Sequence, residues 1–180
     1  MKQISVFVAA MAIAMIFALG SGIYNMSATE KHWPITEKVI EWMRENSIAA
    51  HAKDLPVPVL ENDELLKSGA EHYHAMCTGC HLAPDMQPTE LSSGLYPQPP
   101  VFHQRPPTND PSQKLEYARK YFWVIKNGLK MTGMPAWGLS HDDNEIWATT
   151  AFVLKLHGMT STAYEHLVQS AEGHAHSHDH

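Results

Sequence analysis

Apolar residues recur along this chain at helical spacing, and no stretch keeps the two-residue alternation of a half-buried strand. Residues 3–29 carry no charge; their apolar heart is 4–19, and Ile23, Tyr24 and Met26 prolong it. Pro34 opens a different pattern. Ile35, Val39, Trp42 and Met43 form one stripe, with Glu37, Glu41 and Arg44 away from it, which predicts a helix over about 35–52. That helix is either a spacer or an element that packs on the following domain or on a partner. Pro56 and Pro58 make residues 53–61 a linker. Asn62 is a good N-cap, with Asp63 and Glu64 in the first turn and Leu66, Gly69, Tyr73 and Met76 at helical spacing up to Cys77. Residues 82–111 lose all periodicity and are rich in proline. A structureless run of that length is too long for an ordinary connection and needs something other than a protein core to hold it. Periodicity returns with Leu115, Ala118, Phe122 and Ile125 on a helix over about 113–126, which Gly128 stops. A short loop with Met131, Met134 and Pro135 leads to a last helix over about 140–157. Ser140 and Asp143 are read there as its capping box, and Ile146, Trp147, Thr150, Val153 and Leu154 as its inner face. The fold class is therefore all-α.

The N-terminal run is long for the apolar part of a signal peptide and just sufficient to span a membrane. We read 1–29 as an uncleaved anchor, with a cleaved signal ending near Ala18-Leu19-Gly20 as the alternative. Lys2 is the only charge before the run, so the N-terminus stays inside and the body is exported. Residues 30–61 form the amphipathic helix and linker, 62–158 a helical domain, and 159–180 a flexible His-rich tail.

Composition narrows the partners. With 44% hydrophobic and 18% charged residues the chain is globular, and its net charge of −6 argues against nucleic acid. The densest basic group, Lys114, Arg119 and Lys120, reads as a solvated helix face.

There are two cysteines, Cys77 and Cys80, too few for a four-thiolate zinc site. A Cys-x-x-Cys pair also suits a disulfide or a redox dithiol, but His81 follows directly and the chain is exported. Cys77-Thr78-Gly79-Cys80-His81 reads as a c-type haem attachment site. Two thiols at this spacing reach the two vinyl groups on one porphyrin edge, and the next residue places an imidazole under the iron. One covalent haem c would also hold the long aperiodic segment. For a sixth ligand Met134 is the choice, because Pro135 stiffens the backbone beside it; Met131 is the main competitor, and His103 is the least implausible bis-His alternative. At the other end, Glu172 to His180 carries alternating histidines that could bind Cu, Zn or Ni loosely, or could bind nothing in particular.

Cys77-x-x-Cys80-His81 closing a first helix, then Met134-Pro135, then a last helix, resembles class I cytochrome c over about 62–157, in the manner of membrane-anchored bacterial haem-c domains such as those of terminal oxidases. The resemblance implies that Gly69-x-x-x-Tyr73 forms the crossing with the last helix, with Trp147 as partner. It implies that a proline carbonyl from Tyr96-Pro97-Gln98-Pro99-Pro100 accepts the His81 Nδ1–H. Tyr96, Arg105 and Trp137 are candidate propionate donors, and Phe122 and Trp123 candidate haem-lining residues. The function implied is electron transfer between redox partner proteins on the periplasmic side, not enzyme catalysis. A haem peroxidase or oxidase with an open iron, and a metal-handling protein acting through its tail, are the alternatives; a di-haem peroxidase would need a second attachment motif.

Overall fold

The computed structural model describes residues 2–175, and no strand occurs among them. The chain runs α1 (Lys2–Gly20), α2 (Pro34–Ala52), α3 (Asp63–His72), a π-helical turn (Tyr73–Cys77), α4 (Thr78–His81), α5 (Glu90–Gly94), a 3-10 turn (Phe102–Gln104), α6 (Pro111–Asn127), a second 3-10 turn (Trp137–Leu139), α7 (Asp143–Leu156) and α8 (Ser161–Ala175). The all-helical expectation holds.

Nineteen residues of α1 rise ~28 Å at ~1.5 Å each, close to the ~30 Å of a bilayer's hydrocarbon core. The window Gln3–Gly20 has mean hydropathy 2.2 and none of it is buried. The chain then leaves the helix, and its next turns are fastened by aromatic contacts. The Tyr24 hydroxyl lies 2.7 Å from His32 Nδ1, and the Tyr24 ring meets Trp33 edge-on at 4.9 Å. His32 N–H donates to the Tyr96 hydroxyl at 3.2 Å, tying this segment to the proline-rich loop.

Pro34 sits at the start of α2, where its missing N–H costs nothing. Only the far end of α2 is docked: Ile48 and Ala52 are buried, and the helix packs on α6. The stripe Ile35, Val39, Trp42 and Met43 remains exposed.

The centre of the fold is α7. Every residue from Ile146 to Val153 is buried, because α3 covers one side and α6 another. The hydroxyls of Thr149 and Thr150 are satisfied within the helix by the carbonyls of Glu145 and Ile146, at 2.9 and 2.8 Å. At the α3–α7 crossing a methyl group on Gly69 would stand 2.0 Å from the Ala148 carbonyl oxygen, so the two backbones touch. Tyr73 packs on Phe152 with ring centroids 5.4 Å apart. The crossing partners are thus Ala148 and Phe152. The expectation for Trp147 is corrected: one residue earlier on a 3.6-residue helix, it points toward α6 and stacks on Phe122 at 4.0 Å.

Three further expectations are corrected. The last helix is capped by Asp142 and not by Ser140. The Asp142 carboxylate accepts from Asn144 N–H and Glu145 N–H at 2.8 and 3.0 Å, and Glu145 Oε2 accepts from Asp142 N–H at 2.8 Å. Ser140 instead closes the preceding 3-10 turn, its N–H donating to the Trp137 carbonyl at 3.0 Å. The segment 82–111 is not wholly irregular: Thr89 caps the short α5, and Phe102–Gln104 forms a turn. The flexible tail expected from 159 is not seen over 161–175, because Ser161–Ala175 is helical. It lays Tyr164, Val168 and Ala171 against α3, with Tyr164 and Val168 in one apolar cluster with Ala70, Tyr73 and Phe152. The His-rich stretch from Glu172 onward lies outside the residues whose side chains are described.

Candidate functional site

Cys77, Cys80 and His81 arrive on one continuous helical path. It begins at the Asn62 cap, whose Oδ1 accepts from Glu64 N–H and Leu65 N–H at 2.9 and 3.3 Å. The path widens into the π-helical turn at Tyr73–Cys77 and tightens again in α4. Such local widening re-aims side chains and is frequent at functional sites. Leu82 ends it with a φ of 58°, an uncommon conformation for a residue with a γ-branched side chain. The buried Tyr73 hydroxyl holds that ending in place by donating to the Leu82 carbonyl at 2.8 Å. Burial raises the Tyr73 pKa well above its ordinary value, so the phenol keeps its proton and donates. On the other side, Thr89 Oγ1 donates to the Gly79 carbonyl at 2.5 Å, so the cap of α5 also braces the Cys-x-x-Cys turn.

The two cysteines are free thiols, not a disulfide. Burial, with Cys80 beside it, pushes the Cys77 thiol up to about 12. That is the reverse of a redox dithiol, which needs a depressed pKa to attack as a thiolate.

His81 is oriented from two sides. Its Nδ1 lies 2.9 Å from the Pro100 carbonyl oxygen. A carbonyl can only accept, so Nδ1 carries the proton and Nε2 presents its lone pair. Burial holds the His81 pKa below the usual imidazole value, and Arg105 adds to this against the Pro100 bond, so the ring is the neutral form that binds a metal. The Phe102 ring stacks on the imidazole at 4.8 Å and 29°.

Met134 is half-buried on the loop after α6. Gly128 makes that loop possible, with a φ of +65° and its Cα against the Met134–Pro135–Ala136 backbone. A methyl group there would be 2.8 Å from the Met134 carbonyl oxygen. Leu129 N–H donates to the same oxygen at 3.2 Å, and Thr132 Oγ1 accepts Met134 N–H at 3.1 Å. Gly133 abuts Leu95, which begins the proline-rich loop, so the Met134 loop and the loop that serves His81 are in contact. Met131, by contrast, is 76% exposed with a φ of 59°. His103 has its Nδ1 buried with no hydrogen-bond partner among the described residues, next to Phe102 and near Asp85.

The other sequence-predicted contacts divide. The Tyr96 hydroxyl accepts from His32 N–H and keeps its own proton to donate. Arg105 Nη1 donates to the Tyr121 hydroxyl at 2.6 Å, and the Trp137 ring meets His141 edge-on. Phe122 and Trp123 do not join this site: Phe122 stacks on Trp147 in the α6–α7 core, and Trp123 lies by His51 of α2. Pro100, Phe102, Tyr121 and His157 are the site residues that sequence reasoning left unassigned. Any proline in 97–100 could have supplied the carbonyl, and the rings meet only through tertiary contact. Among the described residues no group of three or more His, Cys, Asp or Glu side chains could hold a further metal ion.

The donor set fits a haem: two thiols on the turn before a neutral imidazole, whose distal nitrogen is free and whose plane is held by a carbonyl and a ring. An all-helical domain of this order, with that motif closing its first helix, defines a monohaem c-type cytochrome. Residues 64–153, half of the chain, match the family model for cytochrome c oxidase, cbb3-type, subunit III, and the chain belongs to that family. It is an electron-transfer haem protein, similar to the haem-c subunits of terminal oxidases. No curated protein and no solved structure matches it.

Proposed function

We propose that the chain carries one haem c through thioether bonds from Cys77 and Cys80, with His81 and Met134 as axial ligands, in a domain spanning 62–158. When bound, the haem supplies a reversible one-electron step at iron. The observation that carries the reading is the bond from His81 Nδ1–H to the Pro100 carbonyl, immediately after Cys80. It leaves Nε2 as the one imidazole atom able to bind iron, and it stiffens the ring. The exposure of Met131 and the half-buried position of Met134, on a loop fixed by Gly128 and Thr132, favour Met134 as the second ligand. A thioether partner raises the potential relative to a second imidazole, which suits a carrier at the oxidising end of a chain of donors and acceptors.

The site is read as lying outside the cytoplasmic membrane, held there by α1. The length and bare apolar surface of α1 support a span, and Lys2 at its head supports an inside N-terminus. The partners are redox proteins, and the net charge of −6 favours basic docking surfaces on them. Pyridine haemochrome spectroscopy of the purified protein tests the cofactor. A c-type spectrum that survives acid-acetone extraction, and becomes extractable in Cys77→Ala/Cys80→Ala, is expected. Haem that extracts from the wild-type chain would refute covalent attachment.

A further inference from the structure

The ring behind His81 belongs to a larger assembly that spans three elements. Phe102 stacks with two imidazoles: His81 at 4.8 Å and 29°, and His157, at the end of α7, at 6.5 Å and 13°. Tyr121 of α6 meets Phe102 edge-on at 5.5 Å, and the Arg105 guanidinium sits over the Phe102 ring at 5.4 Å.

The polar atoms of these residues form a directed chain. Arg105 Nη1 donates to the Tyr121 hydroxyl at 2.6 Å, so the hydroxyl's own proton is available to His157 Nε2, 3.2 Å away. A neutral His157, in accord with its depressed pKa, which burial and then Arg105 cause, can accept that proton at Nε2. A backbone bond closes the frame: Gly158 N–H donates to the His103 carbonyl at 3.1 Å, pinning the Phe102 turn to the end of α7. Tyr117 stacks on Tyr121 at 5.8 Å and meets the His157 ring edge-on at 6.3 Å.

We propose that Arg105, Tyr121 and His157 are positioning residues for the axial histidine: they clamp Phe102, and Phe102 sets the plane of the His81 imidazole about the iron axis. The inference rests on His81 being the ligand, as read above. The Pro100 carbonyl fixes one ring atom of His81 and so leaves the ring a tilt about that bond. A flat surface against one face removes that tilt. The plane of an axial imidazole sets which iron d orbital holds the unpaired electron of the ferric form. It therefore sets both the spread of the haem-methyl proton resonances and part of the potential. His81 also delivers no bond to Phe102, so the clamp acts on orientation and leaves attachment untouched.

The test compares the haem-loaded full-length protein with Phe102→Leu, Tyr121→Phe, His157→Leu and His157→Gln, by proton NMR of the ferric form and by potentiometric titration. Phe102→Leu, Tyr121→Phe and His157→Leu are expected to reorder the haem-methyl resonances and shift the midpoint potential. His157→Gln keeps an acceptor for the Tyr121 proton and is expected to restore the wild-type pattern. Phe122→Leu, which opens the core between α6 and α7 and not the clamp, serves as a control for lost stability and should leave the pattern unchanged. Should Phe102→Leu fail to load haem, Tyr121→Phe, which removes one oxygen and keeps the ring, still decides the matter. An unchanged methyl pattern and potential in Tyr121→Phe and His157→Leu would overturn the clamp while leaving His81 ligation intact. A wild-type spectrum without an axial-histidine signature would overturn both readings together.

Discussion

Tyr73 shows how much one side chain contributes to the haem turn. Among the described residues its hydroxyl is the one donor to the Leu82 carbonyl, at the point where the chain takes a positive φ to leave α4. Tyr73→Phe keeps the ring on Phe152 and strands a buried carbonyl, which costs about 1–3 kcal/mol. Urea denaturation should show that loss with the c-type spectrum retained; equal stability would mean that the bond contributes nothing. At this scale the sequence was legible wherever local spacing decides. Cys77, Cys80 and His81 follow one another on a single turn, and Asn62 caps the helix that precedes them. Pro100 was not legible, because a backbone carbonyl is common to every residue and only the fold selects one. Ser140 and Asp142 are both competent caps. The 3-10 turn at Trp137–Leu139 uses Ser140 and leaves the helix to Asp142.

Helix contacts were legible in part. Gly69 marks a close approach, as the resemblance to class I cytochrome c implied, but its partner is the Ala148 backbone and not the Trp147 ring. A large aromatic is a tempting partner for a glycine; geometry instead demands a small residue where two backbones touch. Gly69→Ala places a methyl against a carbonyl that cannot move without shifting α7. A loss of at least about 1–3 kcal/mol is expected from such overpacking, read as a lowered thermal midpoint. A midpoint equal to the wild type would show that the two helices are not in contact there. The signal for α8 was present in Tyr164, Leu167, Val168 and Ala171, spaced one helical face apart. The histidines beyond them drew the segment into the tail. Within the fold, Tyr164 is buried on Tyr73's cluster and its hydroxyl lies 2.9 Å from His74 Nδ1. The stripe on α2 fails in the opposite way. Its period is real and the helix forms, but Ile35, Val39, Trp42 and Met43 stay exposed while burial falls on Ile48 and Ala52.

For the molecule as a whole, two histidines, one buried and one half-buried, couple stability to pH. His157 and His103 both have pKa values depressed mainly by burial. Their unfolded value is about 6.5. As pH falls through that value the unfolded chain takes up protons that the fold resists, so stability declines, and the decline ends once pH passes below the folded values. His157→Gln removes one of these groups. Its stability should fall less steeply than the wild type's between about pH 7 and pH 5, measured by denaturant midpoints; parallel curves would mean that His157 titrates normally. The overall arrangement also explains why so much of the function was legible while so little of the packing was. Attachment chemistry is written in consecutive residues, whereas the frame that holds it is assembled from α6, α7 and the proline-rich loop, far apart in the chain. The most direct measurement of the central claim is the far-red absorption of the ferric protein, the weak band that a methionine–iron bond produces. The band is expected in the wild type and in Met131→Ala, and it should vanish in Met134→Ala. Its absence from the wild type, or its survival in Met134→Ala, would contradict His81/Met134 ligation.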